Sequence, residues 1–262
     1  MSGFLRSASR VWLTGATSGI GEALARRLIH DGHSLVVTGR RQSALDELVT
    51  LAPDRVDSAR ADTTNLSELD QVGSTLADAA SLDLAILNAG TCEYLDVSQF
   101  DSELIRRNIE TNVMGTVLSV ERALPHLRRT RELGRPAAVA IVGSSAWWFP
   151  FGRAEGYGAS KAALAYFAQS LRADLAREGI EVFLVSPGFV KTPLTDRNDF
   201  PMPFLIEADD AAGRIIAGLQ KGHHSIEFPK RFTWTLRLLG NLPQGVIDRM
   251  AARMARNTSQ ES

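Results

Sequence analysis

A glycine-rich turn close to the start of the chain restricts what the remainder can form. Val11-Trp-Leu-Thr14 reads as a short strand that runs directly into Thr14-Gly15-Ala16-Thr17-Ser18-Gly19-Ile20-Gly21, and the helical pattern Glu22-Ala-Leu-Ala-Arg-Arg-Leu28 follows at once. A strand, a glycine turn and a helix start bring backbone N–H groups and the positive end of a helix to one point, which suits a pyrophosphate. Gly15 permits the tight turn, Gly19 lets the backbone approach a phosphate, and Gly21 lets helix and strand pack closely. The spacing is Gly-x-x-x-Gly-x-Gly rather than the commoner Gly-x-Gly-x-x-Gly, but the surrounding elements are those of a dinucleotide site. Thr17, Ser18 and Ile20 complete the turn and are candidate contacts to such a ligand.

The pattern that opens here repeats along the chain. Short β-branched runs at Ser34–Thr38, Arg55–Arg60, Leu84–Leu87, Ala138–Val142, Val182–Val185 and Ser225–Phe228 alternate with helical patterns starting near Gly21, Gln42, Ser67, Asp101, Tyr157 and Ala208. That alternation signals a parallel sheet of about seven strands with helices on both faces, a single-domain, doubly wound α/β fold over 1–262. With 44% hydrophobic residues the chain can bury the required core. Ligands of such sheets bind beyond the carboxyl ends of the strands. Leu164, Phe167, Leu171 and Leu175 recur at helical spacing after Tyr157; their apolar face is compatible with either the sheet or another subunit.

The end of the second strand reports on the ribose that a dinucleotide would place there. A carboxylate would accept from a 2′-hydroxyl, whereas an arginine would suit a 2′-phosphate. The sequence reads Thr38-Gly39-Arg40-Arg41, with no acid. Arginine can meet phosphate with two parallel charge-assisted bonds, so NADP is expected over NAD, with Arg40 as the contact.

Tyr157-Gly-Ala-Ser-Lys161 opens the fifth helical pattern. Positions four apart share a helix face, so the phenol and the ammonium can lie side by side. A tyrosine of ordinary pKa about 10 is a poor base at neutral pH, and an adjacent cation together with a positive nicotinamide ring favours the phenolate. In the reducing direction the same phenol protonates an alkoxide. The glycine turn, Asn88-Ala89-Gly90 after the fourth strand, a serine after the fifth, and Tyr157 with Lys161 together resemble the short-chain dehydrogenase/reductase family over about 11–193. Asn112 in Thr111-Asn112-Val113-Met114-Gly115 and the segment Ser186-Pro187-Gly188-Phe189-Val190-Lys191-Thr192 agree with it.

The resemblance implies a Rossmann fold, a nicotinamide cofactor and a reacting set of Asn112, Ser144, Tyr157 and Lys161. In the family the serine orients the substrate oxygen and the asparagine holds a water in a proton relay through the lysine. Ser144 precedes the tyrosine by the family's thirteen residues; Ser145 follows it and is left to cap the backbone or touch substrate. Asp62 and Thr63 match the segment flanking the adenine. Asn88, Ala89 and Gly90 match the strand end near the adenosine ribose, Lys161 the lysine bonded to the nicotinamide ribose, and Pro187, Gly188, Val190 and Thr192 the segment anchoring the carboxamide. The activity implied is hydride transfer between NADP(H) and a carbonyl or alcohol. The alternatives are a 3-oxoacyl thioester reductase of the same family and a non-catalytic NADP(H)-binding sensor. Homodimers or homotetramers are common in the family.

Other features are not absorbed by that resemblance. Trp147, Trp148, Phe149, Pro150 and Phe151 lie between the serine and the tyrosine, where they line a substrate pocket or fill a subunit contact or the loop's own core. The segment over about 193–207 is expected to close over substrate. The tail over about 229–262 carries Lys230, Arg231, Arg237, Arg249, Arg253 and Arg256 against Asp248 and Glu261. Its apolar positions Phe232, Trp234, Leu236, Leu238 and Leu239, and then Val246, Ile247, Met250 and Met254, suit an extra helix packed on the pocket or on a neighbouring subunit. A basic amphipathic segment can also lie weakly on an anionic membrane.

The formal net charge of −1 gives no electrostatic case for nucleic acid. Cys92 is the only cysteine, so no intrachain disulfide is possible, and a reducing, cytoplasmic compartment fits. Cys92 reads as a small buried or loop residue rather than a nucleophile. His223 and His224 have no evident partners for a metal site, and none is expected. Met1–Arg10 lacks the apolar run of a signal peptide, and no window reaches the ~18 apolar residues of a membrane span.

Overall fold

The computed structural model describes residue 5 and residues 8–77 and 81–254. Most of the stretch read for a signal peptide lies outside these residues, as do Arg256 and Glu261 of the tail. The strands are β1 (Arg10–Thr14), β2 (Ser34–Gly39), β3 (Val56–Arg60), β4 (Leu84–Leu87), β5 (Ala137–Val142), β6 (Ile180–Pro187), β7 (Val190–Lys191), β8 (Ile206–Glu207) and β9 (Ser225–Phe228). The helices are α1 (Gly19–His30), α2 (Gln42–Leu51), α3 (Leu66–Ala77), α4 (Ser102–Ile109), α5 (Gly115–Glu132), α6 (Glu155–Leu175), α7 (Ala208–Gln220), α8 (Lys230–Gly240) and α9 (Gln244–Met254).

Seven strands form one all-parallel sheet in the order β3-β2-β1-β4-β5-β6-β9. Side chains alternate across a strand, and here the alternation divides two cores. Val11, Leu13, Leu35, Val37, Leu84 and Ile86 point to one face, where Leu24 and Leu28 of α1, Leu45 of α2 and Ile215 of α7 cover them. Trp12, Val36, Ala85, Leu87, Val139 and Ile141 point to the other, under Leu69 of α3, Leu127 of α5 and Leu164 of α6. A strand covered on both faces must be apolar at nearly every position, which is why β1, β2, β4 and β5 read as continuous runs. Phe167 and Leu171 pack on the same second core, so the apolar stripe of α6 faces the sheet.

Boundaries shift by a residue or two at several elements, and three differences bear on the site. β6 extends beyond Val182–Val185 at both ends. α6 begins two residues before Tyr157, which places that tyrosine in its first turn. The helix expected from Asp101 is two helices, α4 and α5, joined by a π-helical turn over Glu110–Met114.

A third apolar cluster joins Phe149 to Phe232, Leu236 and Ile247 of α8 and α9, with Trp148, Phe151 and Phe189 packed against it. The aromatic loop and the tail therefore share one small core. β7 pairs with β8 in a two-stranded ribbon that brackets residues 192–205.

Candidate active site

The strand order reverses at β1, with β2 on one side and β4 on the other, and a cleft opens beyond their carboxyl ends. It encloses about 370 Å³, within the ordinary range for a ligand pocket. One wall is the glycine turn. Gly15 and Gly19 have φ of +66° and +55°, in the left-handed region that side chains disfavour. A Cβ on Gly21 would fall 2.0 Å from the Gly15 carbonyl oxygen, so the turn and the first turn of α1 could not nest with any other residue there. Gly21 thus shapes the turn from beneath and does not line the cleft, unlike Gly15, Thr17, Ser18, Gly19 and Ile20.

β4 is locked to this turn. The Thr14 hydroxyl accepts from the Asn88 and Ala89 backbone N–H groups at 3.0 and 3.1 Å, and Asn88 Nδ2 donates to the Thr14 and Gly15 carbonyls at 3.3 and 3.2 Å. Asn88, Ala89 and Gly90 line the cleft beside it. Thr14, the joint itself, was not singled out from the sequence.

At the far end the cleft is lined by Gly39, Arg40, Asp62 and Thr63. A Cβ at position 39 would meet the Thr17 methyl at 2.6 Å, so the end of β2 has no room for a side chain there. The Arg40 side chain is 80% exposed, with its guanidinium 3.9 Å from the Asp62 carboxylate. The Arg41 side chain instead donates to the Thr17 carbonyl and so braces the turn.

At the other end stand Ser144, Tyr157 and Lys161. Lys161 Nζ lies 5.7 Å from the centroid of the Tyr157 ring and donates to the Val142 carbonyl at 3.2 Å. The Ser144 oxygen accepts from the Ala146 N–H at 3.1 Å, so Ser144 supplies the local cap that had been left to Ser145. Ser144 lines the cleft, while Ser145 is buried behind it. Burial raises the Tyr157 phenol above its usual pKa, with the Ser144 hydroxyl opposing in part. The same burial lowers Lys161 to about 8. The sequence reading expected Lys161 together with a positive nicotinamide ring to favour the phenolate; burial of the phenol acts the other way.

Asn112 is fully buried in the π-helical turn and does not line the cleft. Its carboxamide accepts from the Thr91 N–H at 2.7 Å and donates to the Thr91 carbonyl and to the Ser160 hydroxyl at 3.0 and 2.8 Å. It therefore ties the loop after β4 to α6, next to Lys161. Such π turns interrupt helices at functional positions.

Beyond β6, Pro187, Gly188, Val190 and Thr192 line the cleft, and so do Thr195 and Arg197, which sequence reasoning missed. Thr195 caps the segment by donating to the Val190 carbonyl at 2.7 Å. The Thr192 methyl would lie 2.9 Å from a Cβ on Gly19, so this segment sits directly on the glycine turn. Trp147–Phe151 do not line this cleft; with Ala251 and Ala252 they line a separate cavity of about 530 Å³.

Burial holds the Cys92 thiol above its usual pKa. His224 meets Glu181 at 2.6 Å. Among the described residues no group of three His, Cys, Asp or Glu side chains could hold a metal ion, and no helix is long and apolar enough to cross a membrane.

Comparison with known proteins agrees with this geometry. The family model described as short chain dehydrogenase matches residues 9–200. An uncharacterized oxidoreductase of Myxococcus xanthus is 34% identical over 250 residues, covering 92% of this chain and 96% of that protein. The NADP-dependent 3-hydroxy acid dehydrogenase of Escherichia coli K12 is 33% identical over 182 residues, covering 69% of this chain and 72% of its own. Among solved structures, a short-chain dehydrogenase from Sphingobium yanoikuyae in complex with NADPH superposes with a TM-score of 0.77 at 26% identity, over 97% of this chain and 98% of that one. A cleft beyond the carboxyl ends of a parallel sheet, and a match running from β1 past the tyrosine and lysine, make this chain a member of the short-chain dehydrogenase family, an oxidoreductase of CH–OH and C=O groups.

Proposed function

We propose that the protein is an NADPH-dependent reductase of a ketone or aldehyde, with Tyr157 as proton donor. The observation that carries the reading is the placement of Tyr157, Lys161 and Ser144 together on one end of the cleft, with the glycine turn at its middle and Arg40 at the other end. The glycine turn fits a dinucleotide: its backbone adopts φ values that only glycine takes easily, and any side chain at Gly21 would collapse it. Bound there, the cofactor supplies the hydride.

The protein's own groups handle the oxygen. The Ser144 hydroxyl orients the substrate oxygen, and the Tyr157 phenol, kept protonated by burial, gives up its proton as charge develops on that oxygen. Lys161 stabilises the phenolate left behind and would bond the nicotinamide ribose. Asn112 holds the loop after β4 against α6 and serves the relay that returns the proton through Lys161. Asp62 and Thr63 would flank the adenine, and Thr192 would anchor the carboxamide. NADPH is preferred over NADH because Arg40 offers a cation where the end of β2 leaves no room for a carboxylate at position 39.

The relative that acts as an NADP-dependent 3-hydroxy acid dehydrogenase places 3-hydroxy acids and their ketones first among substrates to try. The test is loss of NADPH absorbance across aldehydes, aryl ketones, 3-oxo acids and 3-oxoacyl thioesters, with Tyr157→Phe in parallel. Oxidation should fall by about a thousandfold in the variant, the loss of one general acid combined with its positioning. Equal turnover by wild type and variant would overturn the assignment of Tyr157.

A further inference from the structure

The C-terminal helices carry a surface that the cleft chemistry does not use. On α8, Phe232, Thr233 and Leu236 face inwards, where Phe232 and Leu236 pack into the third core. The opposite face holds Trp234 and Leu238, which remain 70% and 69% exposed. These two lie four residues apart and so form one stripe. Lys230 stands one turn before Trp234 on the same stripe, Arg231 borders it on one side and Arg237 on the other, and all three are exposed.

Phe204, 52% exposed on the segment between β7 and β8, packs against Phe232 on the inward side of α8, with ring centroids 6.2 Å apart. Leu205 beside it is 41% exposed. The surrounding charge is one-sided. α8 contains no acid, and on α9 Arg249 and Arg253 face a single acid, Asp248. Glu227, the acid at the edge of the patch, is already paired with Arg237 at 3.1 Å.

We infer that this face docks on an anionic lipid surface, with Trp234 and Leu238 entering the headgroup region and Lys230 and Arg231 meeting lipid phosphates. A large exposed apolar pair ringed by cations is the arrangement that binds such interfaces, because apolar burial and attraction to anionic headgroups add. Tryptophan is suited to that depth, with an apolar body and one N–H donor. A second copy of the chain fits less well, because a two-fold contact would set this cationic rim against itself.

The full chain tests this by flotation with vesicles of mixed phosphatidylglycerol and phosphatidylcholine and with vesicles of phosphatidylcholine alone. The protein should float with the anionic vesicles, weaken as salt rises, and show a blue shift of tryptophan emission that Trp234→Phe removes. Trp234→Ser with Leu238→Ser, and separately Lys230→Gln with Arg231→Gln, should each lower partitioning about tenfold or more. Both pairs lie outside the cleft, so NADPH oxidation with a water-soluble carbonyl should stay unchanged and certify folding. Absence of flotation, equal flotation with neutral vesicles, or full binding by either pair would overturn the inference. A dimer in solution that the Trp234/Leu238 pair converts to monomer would overturn it too, by assigning the face to a second copy.

Discussion

Tyr157 and Lys161 are both pushed by burial towards their neutral forms, with opposite consequences. A neutral phenol is ready to donate, so burial serves Tyr157 in the reducing direction. A neutral amine is useless as a cation, and Lys161, lowered to about 8, carries that conflict as a cost to stability. The unfolded chain holds the lysine proton up to a pKa of about 10.4. Below pH 8 both states are protonated and the penalty is complete; as pH rises from about 8 towards 10.4 the folded protein sheds the proton first and the penalty is relieved. Lys161→Met should therefore be more stable than wild type at pH 7, by on the order of 2 kcal/mol after loss of the Val142 bond, while losing activity. Urea unfolding at pH 7 and pH 10 checks this; the advantage must shrink at the higher pH, and an advantage that grows would refute the sign. Arg40 offers a second residue-scale test. Its guanidinium is largely exposed, so bonds from it to a 2′-phosphate would be partly screened. Arg40→Gln should weaken NADPH binding about tenfold and leave NADH binding nearly unchanged, as read by titration of cofactor fluorescence. Equal weakening of both would move the phosphate contact elsewhere.

At the scale of elements, the tail and the segment after Thr192 depend on one another. Phe232 lies at their junction, 5.4 Å from the ring of Phe189 and 6.2 Å from that of Phe204. Its truncation would open a cavity in a core of few members. Phe232→Ala should cost about 3 kcal/mol in urea unfolding and raise KM for the carbonyl more than it lowers kcat, because the segment beside the cleft loses its support. A KM unchanged beside a full loss of stability would separate the tail from substrate binding. This dependence was not legible in the sequence. The strands were, because burial on both faces leaves a continuous apolar run, and α6 was, because Leu164 and its partners repeat at helical spacing. The aromatic stretch Trp147–Phe151 gave no such clue, since its partners lie some eighty to a hundred residues further on in α8 and α9. The split between α4 and α5 was hidden for a different reason: a π-helical turn adds one residue per turn without breaking the helical pattern, and only the buried bonds of Asn112 reveal it.

The molecule as a whole gathers its cleft from loops that are distant in sequence and adjacent only through strand order. Glycine turn and Asn88 meet because β4 lies beside β1, and no local pattern states that order; the family resemblance supplied it, and the register of β1 on β4 carries it. The same dispersion has a thermodynamic consequence. The lining residues follow β1, β2, β3, β4, β5 and β6, so a ligand that holds them together links nearly the whole sheet. The chain is read as one domain, and a ligand of that reach should stabilise it as one unit. NADPH at a hundredfold above its Kd should add about 2.7 kcal/mol, a rise in Tm of roughly 5–10 °C for a chain of this size. Calorimetry should show a single transition that moves as a whole, and hydrogen exchange should slow at the strand ends around the cleft and in residues 187–197. Two transitions, of which NADPH moves only one, would divide the chain into separately folding parts and end the single-domain reading.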